Sequence, residues 1–212
     1  MKKDKFIEEI ERLGINPTSK QLEQLEQYYK LLIEWNSKIN LTRIIEEDEV
    51  YLKHFYDSLT LFKAINLYET KNLLDVGTGA GFPGIVLKIF FPNINIVLLD
   101  SLNKRLKFIQ VVIEKLGLEK IELVHARVEE YKERKFDIIT TRAVANLKKL
   151  LIYINPLITK DTKFVPMKAN VDEEIIEAKD ILNKYKLEIT KKIDFTLPET
   201  DAKRCILIIQ NK

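Results

Sequence analysis

Residues 73–84 constrain the fold of this chain more than any other stretch. Their sequence is LLDVGTGAGFPG: an apolar run ends in Asp75, glycines then occupy alternate positions from Gly77, and Pro83 follows. Proline is tolerated in the first turn of a helix, where its missing N–H has no intrahelical partner. Glycines let the backbone approach a ligand closely, and a helix amino terminus offers unpaired N–H groups. The stretch predicts a strand, a glycine turn and a helix that cradle a nucleotide-type cofactor.

The composition indicates one folded α/β domain with a small appendage. The chain has 212 residues, of which 46% are hydrophobic, enough for a full core. No apolar run approaches the ~20 residues that span a bilayer, and the first residues lack a signal-peptide core. We therefore expect a cytoplasmic protein that does not enter a membrane.

Cysteine, histidine and charge contents restrict the function further. Cys205 is the single cysteine, so no internal disulfide forms, and the two histidines, His54 and His125, predict no metal site. His125 is assigned no role. The 35 basic and 32 acidic residues give a net charge of +3, which permits a nucleic-acid partner without requiring one.

Two regions differ in pattern. Residues 1–70 have helical periodicity and almost no glycine, whereas residues 71–212 alternate short apolar runs with amphipathic segments. Thr18 and Gln21 fit a capping box at the start of an amphipathic helix. We expect a helical N-terminal extension, residues 1–70, packed on a second unit, residues 71–212.

The second unit alternates strands with helices. The strand candidates are residues 72–76, 95–100, 121–125, 136–141, 162–167, 188–196 and 203–210. The helix candidates are residues 83–91, 103–116, 146–158 and 171–185, with a single turn near 127–132. This alternation predicts a mostly parallel seven-stranded sheet covered on both faces. The last two strands have no helix between them and should form an antiparallel hairpin at the sheet edge, an arrangement typical of the Rossmann-like methyltransferases.

Asp100 ends the second predicted strand. In open parallel sheets the ligand lies outside the carboxyl ends of the strands. An acidic residue at this position can accept both hydroxyls of an adenosine ribose. A second interpretation makes Asp100 a cap for the helix that begins near Leu102. Because Asp100 occurs together with the glycine turn, we favour the ribose-binding interpretation.

The spacing of the glycines distinguishes two kinds of cofactor. Gly77 and Gly79 supply the first half of the G-x-G-x-x-G pattern of dinucleotide-binding proteins, but Gly81 comes early and position 82 is Phe82. A pyrophosphate needs the helix N–H groups close by, whereas S-adenosylmethionine carries no phosphate. The pattern favours S-adenosylmethionine, and a purely structural glycine turn is the alternative.

Two further strand ends carry candidate residues. Val128 and Glu129 follow the third strand, where a backbone N–H and a side chain could contact an adenine edge; a solvated helical turn is the alternative for Glu129. Arg142 closes the fourth strand among small residues and could reach a carboxylate or a phosphate. Its alternative is a surface salt bridge to Asp137 or Glu129.

Six short motifs in the chain together resemble one family. They are DVGTGAGFPG at 75–84, DSLNKR at 100–105, RVE at 127–129, TRAVA at 141–145, WNSKINLT at 35–42 and HFYDSL at 54–59. These resemble the RsmG (GidB) family of bacterial 16S ribosomal RNA guanine-N7 methyltransferases, from about residue 25 onward.

The resemblance implies transfer of a methyl group from S-adenosylmethionine to N7 of guanine 527 in 16S ribosomal RNA. It implies cofactor contacts at Gly77, Phe82, Val128–Glu129 and Arg142. The chain departs from the family in three places: Val128 stands where alanine is common, Lys168 is followed by alanine rather than glycine, and a basic Pro-Arg-Lys tail is absent. RNA contacts of that tail are not carried over.

The expected mechanism relies on positioning. Guanine N7 carries a lone pair on the major-groove edge, so in-line attack on the methyl group needs no general base. The target guanine must lie in a loop or be splayed out of its helix. Arg142 is predicted to position the substrate, and Lys104, Arg105 and Lys168 are predicted to contact RNA. The expected partner of this monomer is 16S RNA or an assembling 30S subunit.

Two other classes of protein fit part of the pattern. One is an NAD(P)-dependent oxidoreductase on the same scaffold, which the missing glycine at position 82 disfavours. The other is a non-catalytic RNA-binding module of ribosome assembly, which the glycine turn and Asp100 disfavour. Binding of S-adenosylmethionine, of NADH or of neither distinguishes the three.

Overall fold

The computed structural model describes residues 1–133, 136–142 and 145–212. Ala143 and Val144 of the TRAVA motif lie outside the described residues, and so does Arg134, the last residue of the solvated turn that is the alternative for Glu129.

A seven-stranded sheet forms the centre of the molecule. The strands are β1 (Asn72–Val76), β2 (Asn95–Asp100), β3 (Ile121–His125), β4 (Ile138–Arg142), β5 (Lys163–Lys168), β6 (Leu187–Thr196) and β7 (Lys203–Asn211). Their order is β3-β2-β1-β4-β5-β7-β6, and only β7 runs antiparallel to its neighbours, β5 and β6. The strand order reverses between β1 and β4, so the crevice at their carboxyl ends is where an open sheet of this kind binds ligands.

Each predicted strand is present with ends within two residues of the prediction, and the terminal hairpin is confirmed. The helices of this part are α5 (Gly84–Phe90), α6 (Asn103–Leu116), α7 (Leu147–Ile154), α8 (Asp172–Glu177) and α9 (Lys179–Lys184). Single 3₁₀ turns lie at Val128–Glu130 and Asn155–Leu157.

Two of the predicted helices are shorter than expected. The helix predicted over 146–158 ends at Ile154 and continues as the 3₁₀ turn, because Pro156 has no N–H to extend it. The helix predicted over 171–185 is divided at Ala178, whose N–H is shared between the carbonyls of Glu174 and Ile175. That sharing tightens the turn toward 3₁₀ geometry and separates α8 from α9.

The N-terminal region is helical. It contains α1 (Lys3–Arg12), α2 (Ser19–Ile39), α3 (Glu47–Val50), a π-helical turn (Tyr51–Tyr56), α4 (Asp57–Leu59) and a 3₁₀ turn (Thr60–Lys63). The predicted capping box is present at the start of α2, where Thr18 N–H donates to Gln21 Oε1 at 2.8 Å and Gln21 N–H donates to Thr18 Oγ1. None of the helices in the described residues is long and apolar enough to cross a membrane.

Successive residues of each strand supply opposite faces of the core. Leu73 of β1 packs with α5, α6 and the N-terminal helices, whereas Leu74 packs with α7 and α9. The side chain of Gln24 in α2 donates to the Leu116 carbonyl of α6 at 2.8 Å, and the Trp35 ring lies 5.9 Å from the Phe108 ring. The N-terminal helices therefore share one hydrophobic core with the sheet.

Tyr28 connects α2 to the glycine turn. Its ring is fully buried, with its centroid 5.5 Å from that of Phe55 and 5.4 Å from that of Phe82. Its hydroxyl donates a hydrogen bond to the carbonyl of Ala80, and burial raises the pKa of Tyr28 above its ordinary value. A side chain of the N-terminal region is thus hydrogen-bonded to the backbone of the glycine turn.

Replacing Tyr28 by phenylalanine should cost more stability than the same change at Tyr29. Tyr28→Phe leaves the buried carbonyl of Ala80 without its donor, a loss of about 1–3 kcal/mol. Tyr29 donates to the Ile45 carbonyl at an exposed position, so Tyr29→Phe should change the free energy of unfolding by less than about 0.5 kcal/mol. Urea unfolding of both variants measures the difference, and equal losses would contradict the role given to Tyr28.

Candidate active site

A cavity of about 860 Å³ opens at the carboxyl ends of the parallel strands, within the ~300–1,000 Å³ range of small-molecule sites. One wall comes from the sheet and contains Gly77, Thr78, Gly79, Phe82, Asp100 and Arg142. The N-terminal region contributes a second group of lining residues, Leu41, Thr42, Ile44, Lys53, His54 and Asp57. The cavity lies where the reversal of strand order predicts a ligand.

The glycine turn is fixed to β2. The N–H groups of Gly77 and Thr78 donate to the Leu99 carbonyl at 2.8 and 3.1 Å, and Gly79 N–H donates to Asp100 Oδ2 at 2.9 Å. Gly79 has a φ of +62°, and a Cβ added there would meet no protein atom closer than 3.9 Å, the nearest being the Gly77 carbonyl oxygen. A side chain at this position would therefore occupy the cavity, which glycine leaves open for a ligand.

Asp100 closes a local turn before α6 and lines the cavity, but it does not cap the helix, whose N-cap residue is Leu102. Its buried carboxylate accepts from Leu102 N–H at 2.9 Å through Oδ1, and through Oδ2 it contacts Arg105 at 3.3 Å as well as Gly79 N–H. The alternative that Asp100 caps this helix is therefore wrong, because its carboxylate binds the N–H of the N-cap residue itself. Ribose binding by Asp100 stays a prediction.

Asp75 and Gly81, both predicted to bind the cofactor, lie beneath the turn and not among the lining residues. Asp75 is fully buried and accepts from Gly84 N–H at 2.9 Å, which joins the end of β1 to the start of α5. Burial raises the pKa of Asp75 to about 6, against the lowering effect of hydrogen bonding. Gly81 packs on Tyr28, whose hydroxyl oxygen would lie 2.7 Å from an added Cβ. Both residues therefore stabilise the turn from the side of the hydrophobic core.

Arg142 points toward the N-terminal region. Its Nη1 donates to the Lys53 carbonyl at 2.8 Å and to Asp57 Oδ2 at 3.1 Å, and its Nη2 lies 3.1 Å from His54 Nδ1. The guanidinium also lies over the Phe82 ring, 5.3 Å from its centroid. The carboxylate that pairs with Arg142 is therefore that of Asp57.

The alternative expected for Arg142, a surface salt bridge to Asp137 or Glu129, is wrong. Asp137 accepts the backbone N–H groups of Lys71 and Asn72 at 2.8 and 2.9 Å, at the opposite end of the sheet. The true partner lies 85 residues upstream, on a helix that covers the strand ends. Sequence proximity does not reveal that packing.

Asp57 binds a second arginine. Its Oδ1 accepts from Arg204 Nε at 3.0 Å, while its Oδ2 is bound to Arg142. The Asp57 side chain is only 6% exposed, so both ion pairs are shielded from water. Sequence reasoning did not select Asp57 or Arg204 for the site. The available signal was a carboxylate inside the otherwise apolar helical run near residues 55–62.

His54 packs flat on Phe82. The two ring centroids are 4.4 Å apart with an interplanar angle of 16°. Burial and the nearby Arg142 charge lower the pKa of His54 to about 3, so the ring is neutral at physiological pH. The sequence assigned His54 no role beyond its place in the HFYDSL motif and its mention among the two histidines, so its position at the cavity is a finding of the structure.

The predicted RNA-contacting residues differ in their surroundings. Lys104 is exposed and donates to the Ile39 carbonyl at 3.3 Å, and Arg105 lines the cavity beside Asp100. The Lys168 side chain is 8% exposed, pairs with Glu174 at 2.8 Å and donates to the Ala145 carbonyl. Contacts of these residues with RNA stay predictions.

Val128 and Glu129 lie in the single turn that was predicted after β3. Val128 packs into the core near Tyr131, and Glu129 is exposed. Neither is among the residues that line the cavity. Their contact with an adenine edge stays a prediction.

Solved structures share this fold. The ribosomal protein L11 methylase from Lactobacillus delbrueckii subsp. bulgaricus gives a TM-score of 0.59 at 16% identity, covering 76% of this chain and 79% of that one. MtNAS in complex with S-adenosylmethionine gives 0.60 at 14% identity, covering 91% and 76%. The fold is that of the class I S-adenosylmethionine-dependent methyltransferases.

The sequence comparisons identify the family within that class. The model of the GidB family, rRNA small subunit methyltransferase G, matches residues 21–206. The relative from Lachnoclostridium phytofermentans is 45% identical over 211 residues, 97% of this chain and 87% of the relative. The relative from Streptococcus pyogenes serotype M12 is 42% identical, covering 98% and 90%. Both are named ribosomal RNA small subunit methyltransferase G, and this chain belongs to their family.

The residues present fit S-adenosylmethionine. The open position at Gly79 gives the cofactor room beside the turn, and Asp100 offers a carboxylate at the cavity wall. A ligand without phosphates does not require a third glycine at position 82, where the Phe82 ring instead supports His54 and Arg142. Gly77, Gly79, Phe82, Asp100 and Arg142 are the predicted cofactor residues that line the cavity.

A methyl group added at Gly79 should weaken cofactor binding without an unusual loss of stability. Gly117 ends α6 with a φ of +60°, nearly that of Gly79, and a Cβ there would meet no atom within 4 Å. Gly79→Ala and Gly117→Ala should each cost about 1–2 kcal/mol of folding free energy through the left-handed backbone. Only Gly79→Ala should weaken S-adenosylmethionine binding, by about tenfold or more in calorimetry. An unchanged affinity of Gly79→Ala for S-adenosylmethionine would contradict the predicted role of Gly79 in cofactor binding.

Removing the Asp57 carboxylate should strongly destabilise the protein. Asp57→Ala leaves Arg142 and Arg204 partly buried without a counter-charge, a change that costs about 3–5 kcal/mol for buried pairs. Asp57→Asn keeps an acceptor oxygen and should cost less. Alanine at the exposed Asp161 is the control, with an expected change within about 0.5 kcal/mol. Denaturant unfolding that gives Asp57→Ala and Asp161→Ala the same stability would refute this account of the ion pairs.

Proposed function

We propose that this chain methylates N7 of guanine 527 in 16S ribosomal RNA, using S-adenosylmethionine. The family match over residues 21–206 carries the proposal, because the matched relatives are named for methylation of small-subunit ribosomal RNA. The cavity supports it, since its volume of about 860 Å³ is lined both by the glycine turn and by the N-terminal region, which can serve a cofactor and an acceptor respectively. The partner is 16S RNA or an assembling 30S subunit.

The chemistry of the acceptor explains which residues the site lacks. S-adenosylmethionine supplies a methyl group on a positively charged sulfonium. Guanine N7 attacks with a free lone pair, so no proton has to leave the base. Accordingly His54 Nδ1 is engaged by Arg142, and both oxygens of Asp57 are engaged by arginines. These groups are arranged to hold positions and not to accept a proton from the substrate.

Arg142 is the proposed positioning residue. Its guanidinium is fixed by contacts with the Lys53 carbonyl, His54, Asp57 and the Phe82 ring, yet it lines the cavity. A donor fixed in this way loses little conformational freedom when the substrate binds, which favours in-line alignment of the reacting atoms. Methylation of 16S RNA by Arg142→Ala at the wild-type rate, with unchanged cofactor affinity, would refute this role.

The decisive experiment is a methylation assay on free 16S RNA and on 30S subunits, with the product mapped to the nucleotide. We expect N7-methylguanosine at position 527 with at least one of the two substrates. Calorimetry with S-adenosylmethionine and NADH accompanies the assay. Binding of NADH alone would support an oxidoreductase, and binding of neither cofactor, without methylation of either RNA, would support the non-catalytic assembly module.

Lys104 should contribute to RNA affinity through charge alone. Lys104 and Lys115 are exposed on the same helix, α6, with Lys104 in its first turn near the cavity and Lys115 in its last turn. Lys104→Glu should weaken RNA binding and lower the slope of log affinity against log salt by about 1, because fewer counterions are released. Lys115→Glu makes the same change in net charge and should leave the slope unaltered. Equal slopes for the wild type and Lys104→Glu would exclude the contact.

A further inference from the structure

The segment after α2 forms a rigid part of the cavity wall. Asn40 adopts a left-handed backbone with φ of 49° and ends the helix. The N–H of Thr42 then donates to Asn36 Oδ1 at 2.8 Å, and the N–H of Ile44 donates to Thr42 Oγ1 at 3.1 Å. The Thr42 side chain is therefore held in one orientation at the cavity that the glycine turn also lines.

The hydrogen-bond partners of His54 fix its tautomer. A guanidinium can only donate, so Nδ1 of His54 accepts from Arg142 Nη2. The ring is neutral, so its single hydrogen is on Nε2. That Nε2 lies 2.9 Å from Thr42 Oγ1, and it must donate to the hydroxyl oxygen.

The Thr42 hydroxyl is consequently left with one open function. A threonine hydroxyl has two acceptor lone pairs and one donor hydrogen. His54 Nε2–H and Ile44 N–H use the two lone pairs. The hydrogen is donated to none of the described residues, and the half-buried Thr42 lines the cavity. The arrangement presents a donor that cannot also act as an acceptor.

We propose that the Thr42 hydroxyl donates a hydrogen bond to O6 of the acceptor guanine and so selects guanine over adenine. The inference rests on the proposed function. Both purines present an N7 lone pair on the same edge, but guanine places an acceptor, O6, beside it, where adenine places an amino donor. With its lone pairs occupied, Thr42 cannot turn to accept from that amino group. With adenine in the site, the Thr42 hydroxyl donor would therefore face the amino donor of the base.

The location of Thr42 favours the base over the cofactor as its partner. The glycine turn and Asp100, which form the cofactor side, belong to the sheet wall. Thr42 belongs to the N-terminal lining, next to His54, and none of its hydrogen bonds with the described residues goes to the glycine turn or to Asp100. Its donor hydrogen is therefore left for the acceptor base.

The test combines enzyme variants with altered substrates. Thr42→Val keeps the shape and removes the hydroxyl, and Thr42→Ser keeps the hydroxyl. The substrates are 30S subunits whose methylated guanine is retained or replaced by 2-aminopurine, which lacks O6. Thr42→Val should lower kcat/KM on guanine by about tenfold or more, whereas Thr42→Ser should stay near the wild type. On 2-aminopurine, the wild type and Thr42→Val should be equal.

S-adenosylmethionine affinity should be the same in the wild type and both variants. Weaker cofactor binding in Thr42→Val, or the same loss on guanine and 2-aminopurine, would overturn the inference. If the wild type does not methylate N7 of guanine at all, the proposed function has failed. If the wild type methylates N7 of guanine and Thr42→Val has the same effect on guanine as on 2-aminopurine, only the inference has failed.

A measurement on the wild type alone keeps the inference testable should Thr42→Val not fold. The target guanine is replaced by 2,6-diaminopurine, which presents an amino donor in place of O6. We expect 2,6-diaminopurine to be a poorer substrate than 2-aminopurine, because its amino donor then faces the Thr42 hydroxyl donor. Equal kcat/KM on guanine and 2,6-diaminopurine would overturn the inference.

Discussion

The buried carboxylate of Asp57 connects three parts of the chain that are far apart in sequence. It pairs with Arg142 at the end of β4 and with Arg204 at the start of β7, while its own helix belongs to the N-terminal region. Desolvation offsets much of the Coulomb gain of such pairs, so their main effect is to fix geometry. With Asp57 in place, Arg142 is held on the Phe82 ring and a cavity forms between the helices and the sheet.

The direction of the hydrogen bonds from Arg142 to Thr42 follows from the ion pair between Asp57 and Arg142. Arg142 donates to His54, and the neutral His54 donates to Thr42. The polarity of this chain of contacts cannot reverse, because its first member has no acceptor. The N-terminal region thus contributes chemically defined groups to the cavity in addition to its share of the hydrophobic core.

The sequence predicted the features that depend on local patterns. Strand positions, the hairpin of β6 and β7 and the capping box at Thr18 follow from apolar spacing and from residues close in the chain. Gly77, Gly79 and Asp100, which the sequence selected as cofactor residues, line the cavity, and their contact with a cofactor stays a prediction. The partners of Arg142 and Arg204 could not be predicted, since 85 and 147 residues separate them from Asp57. The burial of Asp75 beneath the turn depends on how α5 packs, which a motif does not encode.

The contribution of β7 to this cavity has a consequence for synthesis of the chain. Arg204 completes the ion pairs of Asp57, yet it is translated long after every other residue named at the cavity wall. An emerging polypeptide can form the N-terminal helices and the first five strands while one guanidinium is still missing. The ion pairs of Asp57 are therefore complete only once β7 has paired with β5, so a late strand of the sheet fixes a helix of the N-terminal region.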